Sequence, residues 1–378
     1  MATIPFISAF LYFFLGLLIF TKKNRIKADF ILSIYFFISA LILFLAGAEI
    51  YNRQSGYPFP WIINASTPFI LLIGPVLWLY IKALTTQNFQ AKPIYLLNLI
   101  PFILVFLLFA KSIYFLSNDE KIKYDTTESF RSGIVYPLVV LLIAISNVGY
   151  TLWGLLLLSR YRNRIRFFYS QTDTLDLKWL HSLLVMALFF YAIISILYIA
   201  DYLFGLMKYG LLQGLGFAFI SIFSVLLGYY GLRQGNLFNP FIKVNLDLLK
   251  NNQADYYSKP ITDKDEAFVH RLLEYMKIQK PYLNPEINLA MLSEQLVVSP
   301  EYLSEIINSR LNKNFFDFIN HYRIEEFKEL CKNAKNKNFT LLSLAFDCGF
   351  NSKATFNRVF KKNTGITPSE YFKKVSIN

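Results

Sequence analysis

The chain has 378 residues, of which 55% are hydrophobic and only 17% are charged, and its formal net charge is +13. Ordinary soluble proteins carry about 25% charged residues, so this composition excludes a single soluble domain that hides its apolar surface in one core. The positive charge favours anionic partners such as lipid headgroups or nucleic acid, without distinguishing between them.

Seven uninterrupted apolar runs occupy the first 230 residues. As α-helices each is long enough to cross about 30 Å of hydrocarbon, and they are Ile4–Phe20, Ala28–Ile50, Ser66–Leu84, Pro93–Ala110, Val135–Leu158, Leu183–Phe204 and Leu211–Tyr230. The sequence therefore predicts an all-α protein that begins with a seven-helix transmembrane bundle at residues 1–230, with membrane lipids as partners. No basic residue precedes the first run and no small-residue cleavage site follows it, so we expect this helix to be retained rather than removed as a signal peptide.

The charges of the loops predict the orientation of the bundle. Short loops rich in Lys and Arg stay on the cytoplasmic side. Basic side chains are concentrated at the end of, or after, the first, third and fifth runs, at Lys22, Lys23, Arg25, Lys27, Lys82, Lys92, Arg160, Arg162, Arg164, Arg166 and Lys178. This alternation predicts a multi-pass protein of the bacterial inner membrane whose N-terminus is outside and whose C-terminal segment is in the cytoplasm.

The arginine-rich stretch from Arg160 to Arg166 has two interpretations. It could contact nucleic acid, or it could determine topology and anchor the chain to anionic lipid. A short basic run beside a membrane helix usually has the second role, which we favour.

After the last apolar run the pattern breaks. Residues 231–261 contain Pro240 and Pro260 between short amphipathic pieces, and we interpret them as a partly helical linker. Thr262 followed by Asp265 indicates a capping box at the start of a helix. The apolar face of that helix is Phe268, Leu272, Leu273 and Met276.

The remaining sequence contains one pattern twice, about fifty residues apart: a short helix, a tight turn and a second helix. In the first unit the turn is followed by Ser299 and Pro300, a strong helix start, after a supporting helix with Leu289, Leu292 and Leu296. In the second unit Gly349 follows a supporting helix with Leu341, Leu344 and Ala345, and the next helix is expected to begin near Asn351. A tight turn between two helices needs a residue that tolerates positive φ, which Gly349 supplies in the second unit, and Ala345 lets the two helices approach closely. The repeated pattern therefore predicts two helix-turn-helix motifs.

Helical periodicity divides each second helix into a buried and an exposed face. Leu303, Ile306 and Ile307, and later Phe356, Val359 and Phe360, fall at core spacing. This leaves outward the residues Glu301, Ser304, Glu305, Asn308, Lys353, Ala354, Asn357, Arg358, Lys361 and Lys362. Arg and Asn suit base edges and Lys suits phosphates, so these positions are candidate contacts to double-stranded DNA. Ordinary solvated helix faces are the alternative, and the doubled architecture favours DNA.

Residues 274–374 resemble the tandem helix-turn-helix domain of the AraC/XylS family of transcriptional regulators. The resemblance is carried by Lys280–Leu283, Ser299–Ser304, Phe315–Leu330 and a signature that includes Gly349, Phe356, Arg358, Val359, Phe360, Lys361, Gly365, Thr367, Pro368 and Tyr371. It implies that a helix at 315–334 is a rigid spacer that places the two recognition helices in successive major grooves, about 34 Å apart. It also implies sequence-specific promoter binding and makes RNA polymerase a candidate partner. The positions that match the base-contacting positions of the family are Glu301, Ser304, Glu305, Lys353, Ala354, Asn357 and Arg358.

Two departures from the family pattern concern the first unit. Val297 stands where that turn commonly has glycine, and Ser293 replaces the usual alanine, which predicts a strained or altered turn. Glu301 and Glu305 direct carboxylates toward DNA, where they can accept from cytosine but repel phosphates. We therefore expect the second unit to supply most of the affinity.

Nothing in the C-terminal half indicates an enzyme. From Asn236 onward the only glycines are Gly349 and Gly365, so a phosphate-cradling loop is lacking and a sensor kinase is disfavoured. The histidines are too far apart in sequence to form a typical metal site, and neither a metal nor a cofactor is expected. Cys331 and Cys348 are expected to be small core residues in the reducing cytoplasm.

The signal for the membrane module is less specific. Glu49 and Asp201 lie near the outer ends of their helices and are candidate ligand contacts, because ionisable groups within membranes are usually functional. Gly210 and Gly214 have a small-residue spacing that indicates either close packing of two helices or a homodimer. The leading hypothesis is a membrane-anchored one-component transcription regulator that responds to a small molecule or envelope signal. The alternative is a transporter or channel with a regulatory cytoplasmic domain, against which the runs lack clear internal symmetry.

Overall fold

The structure is a computed structural model that describes residues 3–173, 175–205, 209–234, 263–333 and 338–377. Within these ranges the regular structure is helical, as predicted. The chain divides into two compact units. One contains residues 1–159 and 178–237, and the other contains residues 160–177 and 238–378.

Seven helical segments are long and apolar enough to cross a membrane, which confirms the seven long apolar helices that the sequence predicted. They are Thr3–Phe20, Lys27–Gln54, Pro60–Thr85, Pro93–Tyr114, Val135–Ile165, Lys178–Phe204 and Leu211–Arg233. Most extend several residues beyond the apolar runs, because charged and polar residues at the ends of a run continue the helix. The α-helices among them are α1 (Thr3–Phe20), α2 (Lys27–Gln54), α3 (Thr67–Ile70), α4 (Ile73–Thr85), α5 (Ile100–Phe109), α7 (Val135–Ile165), α8 (Lys178–Phe204) and α9 (Tyr209–Arg233).

The third and fourth segments are not continuous α-helices. The third begins with a 3₁₀ turn at Pro60–Ile62 and is interrupted between α3 and α4. The fourth begins as a 3₁₀-helix at Pro93–Leu99 and ends in a π-helical turn at Ala110–Tyr114. Proline lies at the first positions of both 3₁₀ pieces, of α3 and of α5, where its missing N–H costs no helical hydrogen bond. A short helix, α6 (Asn118–Thr126), follows in the loop before α7.

The C-terminal unit contains seven α-helices in its described residues. They are α10 (Asp263–Ile278), α11 (Leu289–Gln295), α12 (Pro300–Ser309), α13 (Phe315–Lys332), α14 (Leu341–Asp347), α15 (Lys353–Thr364) and α16 (Pro368–Ile377). Five of them are preceded by an N-cap residue whose side chain accepts a hydrogen bond from a backbone N–H of the first turn. These caps are Asn288, Ser299, Asn314, Thr340 and Ser352.

Two hydrophobic cores meet on the long helix α13. Its Phe315, Phe318 and Ile319 belong to a first core with α10, α11 and α12. Its Phe316, Ile324 and Phe327 belong to a second core with α14 and α15. Because one rigid helix contributes to both cores, the two helix pairs cannot rotate independently.

The spacer helix that the sequence predicted at 315–334 ends at Lys332 in the structure, and residue 334 lies outside the described residues.

The segment 160–177, which the sequence analysis assigned to the membrane module, groups with the C-terminal unit. Phe168 is buried in the first core, and Phe167 and Tyr169 pack against that core. The linker predicted for 231–261 is described only as far as Gln234, and Thr262 of the predicted capping box also lies outside the described residues.

Candidate nucleic-acid interface

The first recognition helix, α12, starts as the sequence predicted. The Ser299 hydroxyl accepts the Tyr302 N–H at 3.2 Å, and Pro300 occupies the first turn. Leu303, Ile306 and Ile307 are buried in the first core. This inward face anchors the helix and leaves the opposite face available for a partner.

The prediction that Ser304 points outward is wrong. Ser304 is only 4% exposed, although it lies between Leu303 and Glu305 on the helix. Its hydroxyl and its carbonyl both accept hydrogen bonds from the Asn308 side-chain amide, at 3.2 and 2.8 Å. The buried face of α12 is therefore wider than the helical periodicity indicated. In this conformation the Asn308 side chain is hydrogen-bonded to its own helix. Glu301 and Glu305 remain half-buried at its edge.

The second recognition helix, α15, begins at Lys353, two residues after the expected Asn351, because the Ser352 hydroxyl accepts the Thr355 N–H and caps the helix there. Phe356, Val359 and Phe360 are buried in the second core. All six predicted outward residues of this helix are exposed: Lys353, Ala354, Asn357, Arg358, Lys361 and Lys362. The helix therefore presents one amide and four cationic side chains on a single face.

Two of these cations have partners inside the domain. The Lys362 ammonium lies 2.9 Å from the Asp317 carboxylate of α13, although Lys362 stays largely exposed. The Arg358 guanidinium lies 5.9 Å from the centre of the Phe316 ring and 3.5 Å from the Thr355 hydroxyl. These contacts hold the Arg358 head near the first turn of α15, where a base edge or phosphate would be met.

The two turns differ in the way that the sequence departures predicted. Val297 adopts a φ of +55° in the first turn and is 84% exposed, so a β-branched residue occupies the left-handed region. Gly349 adopts a φ of +90° in the second turn. A Cβ atom at Gly349 would lie 2.4 Å from the carbonyl oxygen of Tyr282 and 2.9 Å from that of Leu283. Glycine is required at 349 for its conformation and for space, whereas Val297 is strained in an open environment.

Arg323 of α13 lies beneath the second turn and is 1% exposed. Its Nε donates to the Tyr282 carbonyl at 2.8 Å, and its Nη2 donates to the Asn284 carbonyl at 2.9 Å. Burial lowers the pKa of this guanidinium to about 9, so it is still a cation at neutral pH. Arg323 is thus a buried cation, and its hydrogen bonds to the Tyr282 and Asn284 carbonyls connect α13 to the segment before α11.

The same junction receives the segment 160–177. The Phe168 carbonyl accepts the Leu289 N–H at the start of α11, and the Arg166 carbonyl accepts the Phe316 N–H at the start of α13, both at 2.9 Å. The Ser170 hydroxyl donates to the Ile287 carbonyl at 2.6 Å and lies 3.3 Å from Arg323 Nη2. These bonds satisfy backbone groups that helix starts leave unpaired.

Further along this segment, Asp173 reaches the second recognition helix. The Thr355 hydroxyl donates to the Asp173 carboxylate, and Thr355 is buried in the first turn of α15. Sequence reasoning missed this role because it treated 160–177 as a membrane loop. The signal that could have indicated it is the aromatic run Phe167–Tyr169, which is unusual in a short solvated loop.

The candidate ligand residues of the first unit are both engaged with protein groups. Glu49 is buried and accepts the Ser66 N–H at 2.8 Å, close to the start of α3. Asp201 is buried and lies 3.2 Å from the Arg131 guanidinium. Among the described residues no group of three His, Cys, Asp or Glu side chains could hold a metal ion. Cys331 and Cys348 are buried thiols of the second core, as predicted.

The C-terminal unit contains two helix pairs, α11 with α12 and α14 with α15, and each pair has a tight turn. The long helix α13 joins the pairs. This arrangement defines a tandem helix-turn-helix domain. The family described as a helix-turn-helix domain matches residues 292–374. The C-terminal domain is thus a helix-turn-helix domain of the AraC type.

Curated proteins of the same class match this domain. The chain is 35% identical over 79 residues to "Uncharacterized HTH-type transcriptional regulator YijO" of Escherichia coli (strain K12), which covers 21% of this chain and 27% of that protein. It is 28% identical over 92 residues to "Uncharacterized transcriptional regulatory protein YesN" of Bacillus subtilis (strain 168), which covers 24% of this chain and 25% of that protein. The chain therefore matches about a quarter of the length of these relatives. A solved protein of unknown function from Listeria innocua aligns with 27% identity and a TM-score of 0.25, covering 30% of this chain and 97% of that one.

Proposed function

We propose that this chain is a membrane-anchored transcription regulator that binds promoter DNA through its two helix-turn-helix units and responds to a signal at the membrane. The observation that carries the proposal is the position of residues 160–177. This segment connects two long apolar helices, α7 and α8, and is built into the DNA-binding unit. A movement of either helix would therefore act on the domain without a separate relay.

The membrane part of the proposal is supported by the surface of the first unit. Large apolar side chains stand exposed along its helices, including Phe10 in α1, Leu107 in α5 and Ile196 in α8, each at least 59% exposed. In the most apolar stretch of the fourth segment, only 11% of the residues are buried within the protein. Such a surface is stable in lipid and would aggregate in water. A reporter fused after Asn378 should be active in the cytoplasm, and activity only in the periplasm would contradict the proposed orientation.

The DNA part is supported by the charge of the two recognition faces. The exposed face of α15 carries Lys353, Arg358, Lys361 and Lys362, whereas that of α12 carries Glu301 and Glu305. Cations near phosphates release counterions and supply sequence-independent affinity, while Arg and Asn can read base edges. We therefore assign most of the affinity to α15, and sequence discrimination to both helices. Lys362 contributes less because Asp317 already neutralises part of its charge.

The test of this assignment uses the full chain in lipid nanodiscs and DNA selected by the protein from a random pool. Arg358→Ala should weaken specific binding by about 1–3 kcal/mol in an electrophoretic mobility titration. Lys332→Ala is the matched control, because it removes an exposed cation that pairs with Glu329 at the end of α13. Equal affinities for wild type and Arg358→Ala would contradict the assignment of this face. If no DNA fragment is enriched at all, the regulator proposal itself fails.

The segment 160–177 supplies a physical route for the signal. Its carbonyls cap α11 and α13, and Asp173 accepts from Thr355 in the first turn of α15. A helix N-terminus is where a DNA phosphate is favoured, so a carboxylate at that turn opposes DNA. In the proposed mechanism a signal shifts the population between a state with Asp173 on α15 and a state with Asp173 withdrawn.

This route makes a specific prediction about charge. Asp173→Asn keeps the shape and can still accept from Thr355, but it removes the negative charge beside the recognition helix. The variant should bind DNA several-fold more tightly without any signal, and the difference should shrink at high salt because the repulsion is screened. Asp263→Asn, at the exposed start of α10, removes the same charge elsewhere and should change affinity little. Unchanged or weaker binding by Asp173→Asn would exclude this mode of control.

The alternative function, a transporter with a regulatory domain, has one observation in its favour. The third and fourth membrane segments are broken, and discontinuous helices form the substrate sites of many secondary transporters. Solute uptake by the purified chain in liposomes would support this alternative. Specific DNA binding without uptake would support the regulator.

A further inference from the structure

The compact unit formed by residues 1–159 and 178–237 contains a cavity with a volume of about 160 Å³. It lies among the break in the third segment, the end of α5, the start of α7, the outer half of α8 and the start of α9. All of these parts face the outer side in the predicted topology. The cavity therefore occupies the half of the membrane module that a signal from outside would reach first.

The cavity wall is uncharged and mainly apolar, with aromatic and aliphatic side chains in similar numbers. Within the described residues, none of the side chains that line it is an acid, a lysine, an arginine or a histidine. Aromatic rings come from several helices at once and include Phe109, Tyr136, Phe190, Tyr191, Tyr198 and Phe217. A charged ligand would lose its hydration without gaining a counter-charge, so this wall selects neutral molecules.

The wall also contains a few neutral hydrogen-bonding groups, such as the side chains of Asn64, Asn147 and Gln213. Asn147 is 4% exposed, and its Oδ1 has no hydrogen-bond partner in the part of the chain that the structure describes. A buried amide oxygen without a donor costs free energy. A ligand that brings an N–H or O–H group would remove this cost.

A short segment, called the lid below, borders the cavity. It consists of α6 and the 3₁₀ turn at Ser129–Ser132, and its Tyr124 and Phe130 form part of the wall. Arg53 at the end of α2 holds it by donating from Nε and Nη2 to the Asp125 carboxylate, at 2.7 and 2.8 Å.

A second ion pair holds the other side of the lid, between Arg131 and Asp201 of α8 at 3.2 Å. Both carboxylates are almost fully buried, so the lid is fixed to two different helices. Asp201 thus contributes to the site through the lid, not as a direct ligand contact.

From the cavity, its uncharged and mainly apolar wall and the unpaired amide we infer that this site binds a neutral, lipophilic small molecule with at least one hydrogen-bond donor. Such a molecule can enter from the outer leaflet or the aqueous side. As the candidate signal, it rests on the proposed function. The binding site itself does not, because binding can be measured without DNA.

The test uses two fluorescent probes of nearly the same shape and different charge. N-phenyl-1-naphthylamine is neutral and carries one N–H donor, whereas 8-anilinonaphthalene-1-sulfonate is its anionic counterpart. The full chain in phosphatidylcholine nanodiscs should bind the neutral probe saturably, at one molecule per chain above the signal of empty nanodiscs. The sulfonate should show no saturable binding.

Two glycine variants locate the probe. Gly216 lines the cavity, and a Cβ added there meets no atom within 4 Å, so Gly216→Leu fills the cavity without distorting α9. Gly149 of α7 is exposed, has equally open surroundings and lies outside the wall, so Gly149→Leu is the matched control. Gly216→Leu should lower the affinity for the neutral probe at least about ten-fold, while Gly149→Leu should leave it unchanged.

A second substitution tests the polar contact. Asn147→Leu keeps the volume similar and removes the acceptor, and it should weaken the neutral probe about five-fold, which corresponds to one hydrogen bond. Non-saturable binding of the neutral probe, equal binding of the sulfonate, or full affinity in Gly216→Leu would each overturn the inference. DNA binding by the same samples would then show whether the proposed function survives without this site.

Discussion

A Cβ atom at Gly349 would lie 2.4 Å from the carbonyl oxygen of Tyr282. The same carbonyl accepts from Arg323 Nε at 2.8 Å. The turn of the second helix-turn-helix unit, the segment that precedes the first unit and the long helix α13 therefore meet at one atom. This junction sets the orientation of the two units relative to each other, on which binding in successive major grooves would depend.

Gly349→Ala tests this junction. The variant combines an unfavourable positive φ with a clash against a backbone oxygen that cannot rotate away, so it should destabilise the domain by about 3 kcal/mol or more. Gly365→Ala is the control, because Gly365 has a φ of +78° and open surroundings, and it should cost only about 1 kcal/mol. Hydrogen exchange of α14 and α15 in the full chain measures both. Equal protection in the two variants would contradict the close packing at Gly349.

Val297→Gly should stabilise the first helix-turn-helix unit. Val297 holds a φ of +55° with its side chain 84% exposed, so its removal loses little burial and relieves strain of about 1 kcal/mol, partly offset by the entropy of glycine. Asn312→Gly is the comparison, because Asn312 has a φ of +50° but asparagine tolerates this region. Hydrogen exchange of α11 and α12 should slow in Val297→Gly and change little in Asn312→Gly. Faster exchange in Val297→Gly would show that the turn is unstrained.

Phe168→Ala should destabilise the C-terminal helix-turn-helix domain although residue 168 lies between two long apolar helices in the sequence. Phe168 is 2% exposed in the first core, and removal of a buried Phe ring costs about 3–5 kcal/mol. Phe167→Ala, at a half-buried ring beside it, should cost less than half as much. The measurement is hydrogen exchange of α11 and α13 in nanodiscs. An unchanged exchange rate in both helices would mean that the segment is not part of the domain.

The stability of α13 should fall in mild acid. Burial, together with the neighbouring Lys313 and Lys328, lowers the pKa of His321 below its usual 6.5, so the unfolded chain binds this proton more readily than the folded chain. The contribution is present above pH 6.5 and decreases as the pH falls through that value toward the lower folded pKa. Exchange of α13 measured between pH 7.5 and pH 5, corrected for intrinsic rates, should show this loss and show less of it in His321→Gln. The exposed His270→Gln should follow wild type, and identical profiles for all three would contradict the argument.

The sequence by itself determined the seven apolar helices and the paired helix-turn-helix pattern. Length and hydropathy are local properties, and capping residues such as Ser299 act within one helical turn, so no tertiary information was needed. The same holds for the exposed cationic face of α15. The prediction failed at Ser304 because the width of a buried face depends on which neighbours pack against it, and periodicity alone does not contain that information.

Only the tertiary structure decided which distant residues meet. Residues 160–177 join the C-terminal domain through backbone and side-chain hydrogen bonds and through aromatic packing, more than a hundred positions away from their partners. The outer cavity likewise arises where several helices fail to fill the space between them. Contacts of this kind depend on shape and on pairing across the chain, whereas hydropathy and helix signals record only what each segment requires for itself.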